Sequence, residues 1–173
     1  MKKEDVTEGA DFIDSTLVDT LLQNSEYEVH VVDNLSAGKK ENLNPKAILH
    51  EVDVRDKEKL SLIFKDSYCV FHLAAIPSVQ YSIEFPEETE SVNVGGTMSV
   101  LMVAKQEGVK KVIYSASGGS VYGDCDKFPT DESVLPSPKS PYGLQKYVGE
   151  HLCRLWSEIH GLKTVSLRYF NVY

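Results

Sequence analysis

Residues 7–14 read T-E-G-A-D-F-I-D, and this stretch decides the fold. A strand-like run precedes it, a helix-like run follows it, and Asp33 lies about 20 residues further on, which is the outline of a dinucleotide-binding loop. Such a loop favours glycine at three positions, because its backbone turns tightly and its N–H groups approach a pyrophosphate. Here those positions hold Glu8, Asp11 and Asp14. The stretch therefore predicts a nucleotide-binding fold whose phosphate contact carries the wrong charge.

The composition is that of a globular protein, with 173 residues, of which 42% are hydrophobic and 25% are charged. A net charge of −8 argues against nucleic acid or an anionic membrane surface as a partner. The three widely spaced cysteines fit a reduced, cytoplasmic protein, and no pair has the spacing of metal ligands. The N-terminus lacks an apolar signal core, and no run approaches membrane-spanning length.

Short apolar runs alternate with amphipathic runs along the whole chain. The former predict strands over 28–33, 47–54, 68–73, 109–115 and 164–169, and the latter predict helices over 12–22, 57–64, 87–106 and 142–159. This alternation predicts an α/β fold with a doubly wound parallel sheet of the Rossmann-like class. We expect one domain over residues 1–173, because no linker or repeat divides the chain.

Tyr142 and Lys146 lie four residues apart in the motif Y-G-L-Q-K, so on a helix their side chains share one face. A nearby ammonium favours phenolate, so this spacing predicts a lowered tyrosine pKa and a group that exchanges protons near neutral pH. The same spacing is common in ordinary surface pairs. The position of this pair, at the start of a helix that follows a Ser/Gly run, favours a catalytic role.

Several motifs in sequence order resemble the extended short-chain dehydrogenase/reductase family, and within it the NAD-dependent sugar-nucleotide epimerases such as UDP-glucose 4-epimerase. The matching stretches are V-V-D-N-L-S-A-G-K (31–39), D-V-R-D (53–56), F-H-L-A-A-I-P-S-V (71–79), N-V-G-G-T (93–97), S-G-G-S-V-Y-G (117–123), S-P-Y-G-L-Q-K (140–146) and L-R-Y-F-N-V-Y (167–173).

This resemblance implies the role of each matching residue. Tyr142 would be the acid/base, and Lys146 would hold the nicotinamide ribose. Asp33 would accept hydrogen bonds from the adenosine ribose and favour NAD over NADP. Phe170 would lie by the nicotinamide, and Asn171 would reach the sugar nucleotide. The implied cofactor-binding set is Gly9, Phe12, Ile13, Asp33, Asn34, Ser36, Gly38, Asp53, Val54, Leu73, Ala74, Ala75, Asn93, Tyr142, Lys146 and Phe170.

The third catalytic residue departs from the family pattern. Family members commonly carry Ser or Thr three residues before the valine of V-Y-G, where this chain has Gly118. Ser117 is the nearest hydroxyl and is our candidate, with an ordinary polar residue at a strand end as the alternative. The related 4,6-dehydratases carry an Asp-Glu pair just before V-Y-G. This chain has Gly119-Ser120 there and so lacks the dehydratase acid and base.

The loop departs further, since the family pattern is T-G-G-A-G-F-I-G. Two like charges about 4 Å apart repel by about 1 kcal/mol in water and about 4 kcal/mol at a protein-surface dielectric. Our hypothesis is that the protein's own carboxylates occupy the anion site. Asp11 can cap the following helix, and Asp14 suits the positive end of its dipole.

Both ends of the chain differ from the family as well. Glu4 and Asp5 stand where the family has apolar residues in a central strand, which predicts a displaced strand, a destabilised fold or a charged tail outside the sheet. Family members continue past the R-Y-F-N motif into a C-terminal part that binds the nucleotide sugar. We therefore expect the cofactor half, with its first strand and glycine loop degenerate.

Two functions fit these observations. The first is the N-terminal part of an NAD-dependent sugar-nucleotide 4-epimerase, an isomerase that oxidises the sugar at C4 and returns hydride to the other face, here with impaired activity. The second is a catalytically silent relic or interaction domain that keeps the fold without cofactor. By resemblance, either would take part in a homodimer through the helices 87–106 and 142–159.

Overall fold

The computed structural model describes residues 1–172, so Tyr173 at the end of the 167–173 motif lies outside the described residues. A six-stranded, fully parallel sheet has the order β3-β2-β1-β4-β5-β6. The strands are β1 (Lys2–Thr7), β2 (Tyr27–Asp33), β3 (Ile48–Glu51), β4 (Ser67–His72), β5 (Lys111–Ser117) and β6 (Lys163–Tyr169). The predicted doubly wound parallel sheet is confirmed.

Helices cover the faces of this sheet. They are α1 (Phe12–Leu22), α2 (Lys57–Phe64), α3 (Val79–Glu84), α4 (Pro86–Glu90), α5 (Thr97–Gln106), α6 (Gly118–Tyr122) and α7 (Pro141–His160). The helix predicted over 87–106 is α4 and α5 joined by a π-helical segment, Ser91–Gly96, which contains the two glycines. A short 3₁₀ turn, Lys40–Asn42, lies between β2 and β3.

The two faces of the sheet pack against separate apolar clusters. One cluster joins β4 and β5 to α2, α5 and α7 through residues such as Val70, Val112 and Leu101. The other joins β1 and β2 to α1 through Val6, Val31 and Val18, among others. These layers fix the carboxyl ends of the parallel strands at one edge. The chain leaves β1 toward β2 and leaves β4 toward β5, so the two connections run to opposite halves of the sheet. A cleft at that point is the usual ligand position in such folds.

The first strand is neither displaced nor a tail, because β1 pairs with β2 on one side and β4 on the other. Both of its acids are buried, Glu4 with 3% and Asp5 with 0% of its surface exposed. Of the three predicted outcomes, the displaced strand and the external tail are therefore wrong. The third, a destabilised fold, stays a prediction, and it fits the burial that raises the pKa of Asp5 and of Glu4 to about 7.

In the part of the chain that the structure covers, no helix has the length and hydrophobicity needed to cross a bilayer. Cys69, Cys125 and Cys153 are all free thiols.

Candidate functional site

A groove crosses the carboxyl edge of the sheet and consists of two cavities. One, of about 260 Å³, lies between the residue 7–14 loop, the end of β5 and the start of α7. The other, of about 130 Å³, lies over the ends of β2 and β3. Both are lined by Glu8 and Ala75, so these two residues form the partition between the halves.

Glu8 forms this partition by reaching across the groove. Its backbone is left-handed (φ 62°), a conformation that glycine adopts readily and glutamate rarely does. Its carboxyl oxygen Oε2 accepts a hydrogen bond from the backbone N–H of Ala75, 67 residues away, at 3.2 Å. Burial raises the pKa of Glu8 to about 7, while Lys146 opposes the shift and Asp33 adds to it. Glu8 therefore changes its charge near neutral pH.

The other two loop acids surround the start of α1. Asp11 is the N-cap, and its carboxylate accepts a 2.8 Å hydrogen bond from the N–H of Phe12, as the sequence predicted. Asp14 is buried, and burial raises its pKa to about 8, with Glu8 and Asp11 adding to the shift. Asp14 lies in the first turn of α1, as expected, but burial favours its neutral form, and a pKa of about 8 keeps this carboxyl mostly protonated at pH 7.

Asp33 holds the loop from the end of β2. Its Oδ2 accepts from the N–H groups of Gly9 and Ala10, both at 3.1 Å, and its Oδ1 accepts from Leu35 N–H at 2.7 Å. Gly9 is obligatory here, because a Cβ would collide with the side chain of Val31. Backbone N–H groups beside the groove are thus already taken by carboxylates of the chain itself.

Most of the predicted adenosine-side residues line the smaller cavity, namely Asp33, Asn34, Ser36, Asp53 and Val54. Gly38 is outside this set. It lies against Ala10 in the loop beside this cavity, so its place in the cofactor pocket stays a prediction. The turn after β2 holds Gly38 there, because Lys39 N–H and the Asn42 amide both donate to Ala10 O and fold the segment back onto the loop.

The wall after β4 is also largely where the sequence predicted it. Leu73 and Ala75 line the larger cavity, but Ala74 packs against the core cluster under β4 and β5 and does not face the groove. Asn93 is buried, accepts from Ile76 N–H at 2.7 Å and donates to Ile76 O at 3.3 Å. Asn93 therefore fixes the wall, as expected.

Two polar residues behind this wall, His72 and Gln145, were missed by sequence reasoning. His72 bonds Thr7 Oγ1 at 2.8 Å and Thr97 Oγ1 at 2.9 Å, which ties β1 and β4 to α5 beneath the groove. Gln145 accepts from the Asn93 amide at 2.8 Å. The available signal was a histidine in the otherwise apolar run of β4 and a glutamine on the buried face of α7.

Tyr142, Lys146 and Ser117 meet at the inner end of the larger cavity. Lys146 is buried, and its ammonium donates to Ser115 O at 2.9 Å. Burial lowers the pKa of Lys146 to about 8, with Glu8 and Asp14 opposing, so it remains a cation at pH 7. Burial raises the pKa of Tyr142, although a hydrogen bond with Ser117 partly offsets it. The expected lowering by Lys146 is wrong in this state, because that ammonium is directed at Ser115.

The last two predicted residues follow β6. Phe170 lines the larger cavity, and its ring fills the space where a side chain at Gly118 would stand. Glycine at position 118 therefore fits this packing, since a Cβ there would collide with the ring. Asn171 is exposed beyond β6.

The family model described as the NAD dependent epimerase/dehydratase family matches residues 6–173. The chain belongs to this family. A putative UDP-glucose 4-epimerase of Methanocaldococcus jannaschii is 43% identical over 171 residues, which are 97% of this chain and 55% of that protein. This epimerase/dehydratase chain thus spans about half the length of that relative.

Solved structures agree with this assignment. A UDP-glucose 4-epimerase from Thermotoga maritima with UDP-glucose superposes with a TM-score of 0.95 at 44% identity, covering 99% of this chain and 56% of that one. A UDP-glucose 4-epimerase from Thermus thermophilus in complex with NAD gives a TM-score of 0.93 at 40% identity, covering 99% and 56%.

NAD is the cofactor of the family. The residues at the two ends of the groove fit this cofactor, whereas those in the middle do not. The smaller cavity offers Asp33 and aliphatic walls, and the larger one offers Tyr142 and Lys146. Between them, the Glu8 side chain crosses the groove and takes the Ala75 N–H, so the position for two phosphates does not fit. Among residues 1–172, no cluster of three or more ligating side chains could hold a metal ion.

Proposed function

We propose that this chain is the cofactor-binding part of an NAD-dependent sugar-nucleotide 4-epimerase, the UDP-glucose type being nearest, and that its NAD affinity is impaired. The observation that carries the proposal is the meeting of Ser117, Tyr142 and Lys146 at one end of the groove whose other end presents Asp33. The UDP-glucose 4-epimerases that it resembles support the sugar-nucleotide class.

Each of the three residues has a task in this proposal. Tyr142 is buried and its raised pKa keeps it a phenol at rest, so it can give a proton to a sugar oxygen and take one back. Ser117, which lines the same cavity as Tyr142, would position that phenol by hydrogen bonding. Lys146 supplies a fixed positive charge at the same end of the groove. Asn171 would contact the nucleotide sugar.

The proposed impairment rests on Glu8 and Asp11, whose carboxylates occupy the Ala75 and Phe12 N–H groups in place of an external anion. This arrangement also favours the second candidate, a catalytically silent domain that keeps the fold without the cofactor. This arrangement is thus compatible with both candidate functions.

NAD binding distinguishes the impaired epimerase part from the silent domain. We expect the purified chain to release less than about one-tenth of an equivalent of NAD on denaturation, measured by mass spectrometry. Stoichiometric NAD would contradict the impairment, and its absence from the glycine-reverted loop would favour the silent domain.

NAD binding by the unmodified chain should strengthen as the pH falls from 8.5 to 6. Glu8, with a pKa of about 7, and Asp14, with a pKa of about 8, gain protons over this range, and so does Lys146, with a pKa of about 8. All three changes make the groove less negative, and we expect roughly a tenfold gain in affinity by calorimetry, since each lost repulsion is worth about 1 kcal/mol. In Glu8→Gln combined with Asp14→Asn most of this dependence should disappear. An affinity that is flat or falls toward pH 6 would refute the assignment.

We further propose a cytoplasmic homodimer through the helices 87–106 and 142–159. Leu144, Leu155 and Ile159 form an exposed apolar stripe on α7, and Met102 is exposed on α5. The free cysteines support a reducing compartment. Light scattering should give twice the mass of one chain, and Leu155→Lys with Ile159→Lys should halve it. A monomeric unmodified chain at micromolar concentration would contradict this interface.

A further inference from the structure

Lys146 is a buried amine that lines a cavity without a carboxylate beside it. The residue is 4% exposed, and the cavity is the larger one, of about 260 Å³. Its Nζ donates to Ser115 O at 2.9 Å and lies 5.2 Å from the centre of the Tyr114 ring. None of the ion pairs within residues 1–172 includes Lys146. A desolvated lysine without a direct counterion loses its proton readily and becomes a nucleophile.

Asp14 lines the same cavity and is a second buried group that the proposed epimerase chemistry does not use. It is 4% exposed in the first turn of α1, and neither of its carboxyl oxygens bonds to another of the residues described. Burial raises its pKa to about 8, so at pH 7 it carries a proton that it can give away. A carboxylic acid in the same cavity as an amine suits a reaction in which water leaves.

The shape of the cavity selects a small and largely apolar molecule. Its volume lies below the roughly 300–1,000 Å³ of pockets for drug-sized ligands, so it suits a single ring. At its entrance two aromatic side chains are half exposed and leave access from solvent, Phe12 and Phe170. Its other apolar walls are Ile13, Leu73 and Pro77.

We propose that this cavity binds a small aromatic aldehyde covalently, as a reversible imine with Lys146 that Asp14 helps to form. This activity goes beyond the proposed function, because it needs neither NAD nor a sugar nucleotide. Burial lowers the pKa of Lys146 to about 8, so about half of its amine is neutral at pH 8. An exposed lysine with the usual pKa of about 10.4 is neutral in less than about one-hundredth of molecules at that pH.

Imine formation here uses only the amine, the aldehyde and the carboxyl group of Asp14. The neutral Nζ of Lys146 attacks the aldehyde carbon, a C–N bond forms, and the carbonyl oxygen takes a proton from the nitrogen to give a carbinolamine. Asp14 then donates its proton to the hydroxyl, the C–O bond breaks and water leaves. The iminium returns a proton to the Asp14 carboxylate, so the net products are one imine and one water.

Benzaldehyde with sodium cyanoborohydride tests this proposal, because the reductant converts an imine into a secondary amine that peptide mass spectrometry locates. At pH 8 we expect Lys146 to react at least tenfold faster than the exposed Lys163, at a rate that saturates with aldehyde concentration. Benzyl alcohol, which has the same ring and no carbonyl group, should protect Lys146 and not Lys163. The ratio of the two rates should fall between pH 8 and pH 10, where exposed lysines lose their protons.

Asp14→Asn should slow the modification of Lys146 at least fivefold and leave Lys163 unchanged, because it keeps the size of the side chain and removes the acid. Glu41→Gln, which changes an exposed acid outside the cavity, is the matched control and should change neither rate. Thermal melting establishes that both variants are folded, and protection by benzyl alcohol is measured on the unmodified chain.

Equal rates at Lys146 and Lys163 in the unmodified chain would overturn the proposal. So would a Lys146 rate that neither benzyl alcohol nor, in a folded variant, Asp14→Asn reduces. The proposed function fails separately, if NAD does not bind after glycine is restored at residues 8, 11 and 14.

Discussion

Restoring glycine at residues 8, 11 and 14 is expected to strengthen NAD binding by roughly 100-fold or more. The change removes three carboxyl groups. Each one, when ionised, is worth about 1 kcal/mol of repulsion in water and about 4 kcal/mol at a protein-surface dielectric, and tenfold in affinity corresponds to about 1.4 kcal/mol. It also frees the N–H groups of Ala75 and Phe12 that Glu8 and Asp11 occupy. Titration calorimetry at pH 8 measures the gain.

Glu8→Gln is the matched control for this experiment, because it removes the charge and leaves a side chain of equal size across the groove. If charge alone excludes the cofactor, Glu8→Gln should match Glu8→Gly. We expect Glu8→Gln to recover only part of the affinity, since the amide oxygen can still accept from Ala75 N–H. Glu8→Gly should also relieve the left-handed backbone at residue 8, by about 1 kcal/mol of stability. No gain from any of these variants would contradict the account of the loop.

Asp5→Asn should stabilise the protein by about 3–4 kcal/mol at pH 8 and by less than about 1 kcal/mol at pH 4. Asp5 is fully buried in β1, and neither of its carboxyl oxygens has a hydrogen-bond partner within bonding distance among the described residues. Burial raises its pKa from 3.8 to about 7, with Ser67 and Lys3 opposing only in part. A shift of one pKa unit corresponds to about 1.4 kcal/mol, which sets the size of the effect.

The sign follows from which state holds the proton. The folded pKa of Asp5 lies above its unfolded value, so its contribution to stability is fully present below pH 3.8 and is lost as the pH rises to about 7. The difference in the free energy of unfolding between Asp5→Asn and the unmodified chain should therefore increase from pH 4 to pH 7 and stay constant above pH 7. Urea denaturation at several pH values measures this difference. Glu26→Gln, which changes an exposed acid, is the control and should show no such increase. If the stability difference between Asp5→Asn and the unmodified chain does not depend on pH, the buried-charge explanation is refuted.

The sequence predicted a strand or helix correctly wherever the residues of that segment carry the pattern of the element that the structure shows. The apolar run before Leu73 and the β-branched run before Asp33 became β4 and β2, and the helix 57–64 has the predicted bounds. β1 was different, because Glu4 and Asp5 carry no strand signal of their own. The pairing with β2 and β4 on both sides, together with Val6 in the core, holds this segment in the sheet despite two buried acids.

The sequence predicted which site residues lie together where their spacing on one element fixes their positions. It did not predict hydrogen bonds between side chains and groups that are distant in the chain. Tyr142 and Lys146 share a helix face, but the ammonium reaches Ser115, 31 residues away, and burial determines both pKa values. Glu8 was visible as an acid at a glycine position. Its contact with Ala75 depends on how the loop and the end of β4 come together, which no local pattern encodes.

The hydrogen bond between Glu8 and Ala75 N–H is the centre of this account, and the amide resonance of Ala75 reports on it directly. In a ¹⁵N-edited NMR titration of the unmodified chain, this resonance should shift with a midpoint near pH 7, where Glu8 exchanges its proton. The same shift should be absent in Glu8→Gln. An Ala75 resonance that does not titrate between pH 5 and pH 9, or that titrates equally in Glu8→Gln, would show that Glu8 does not occupy the groove.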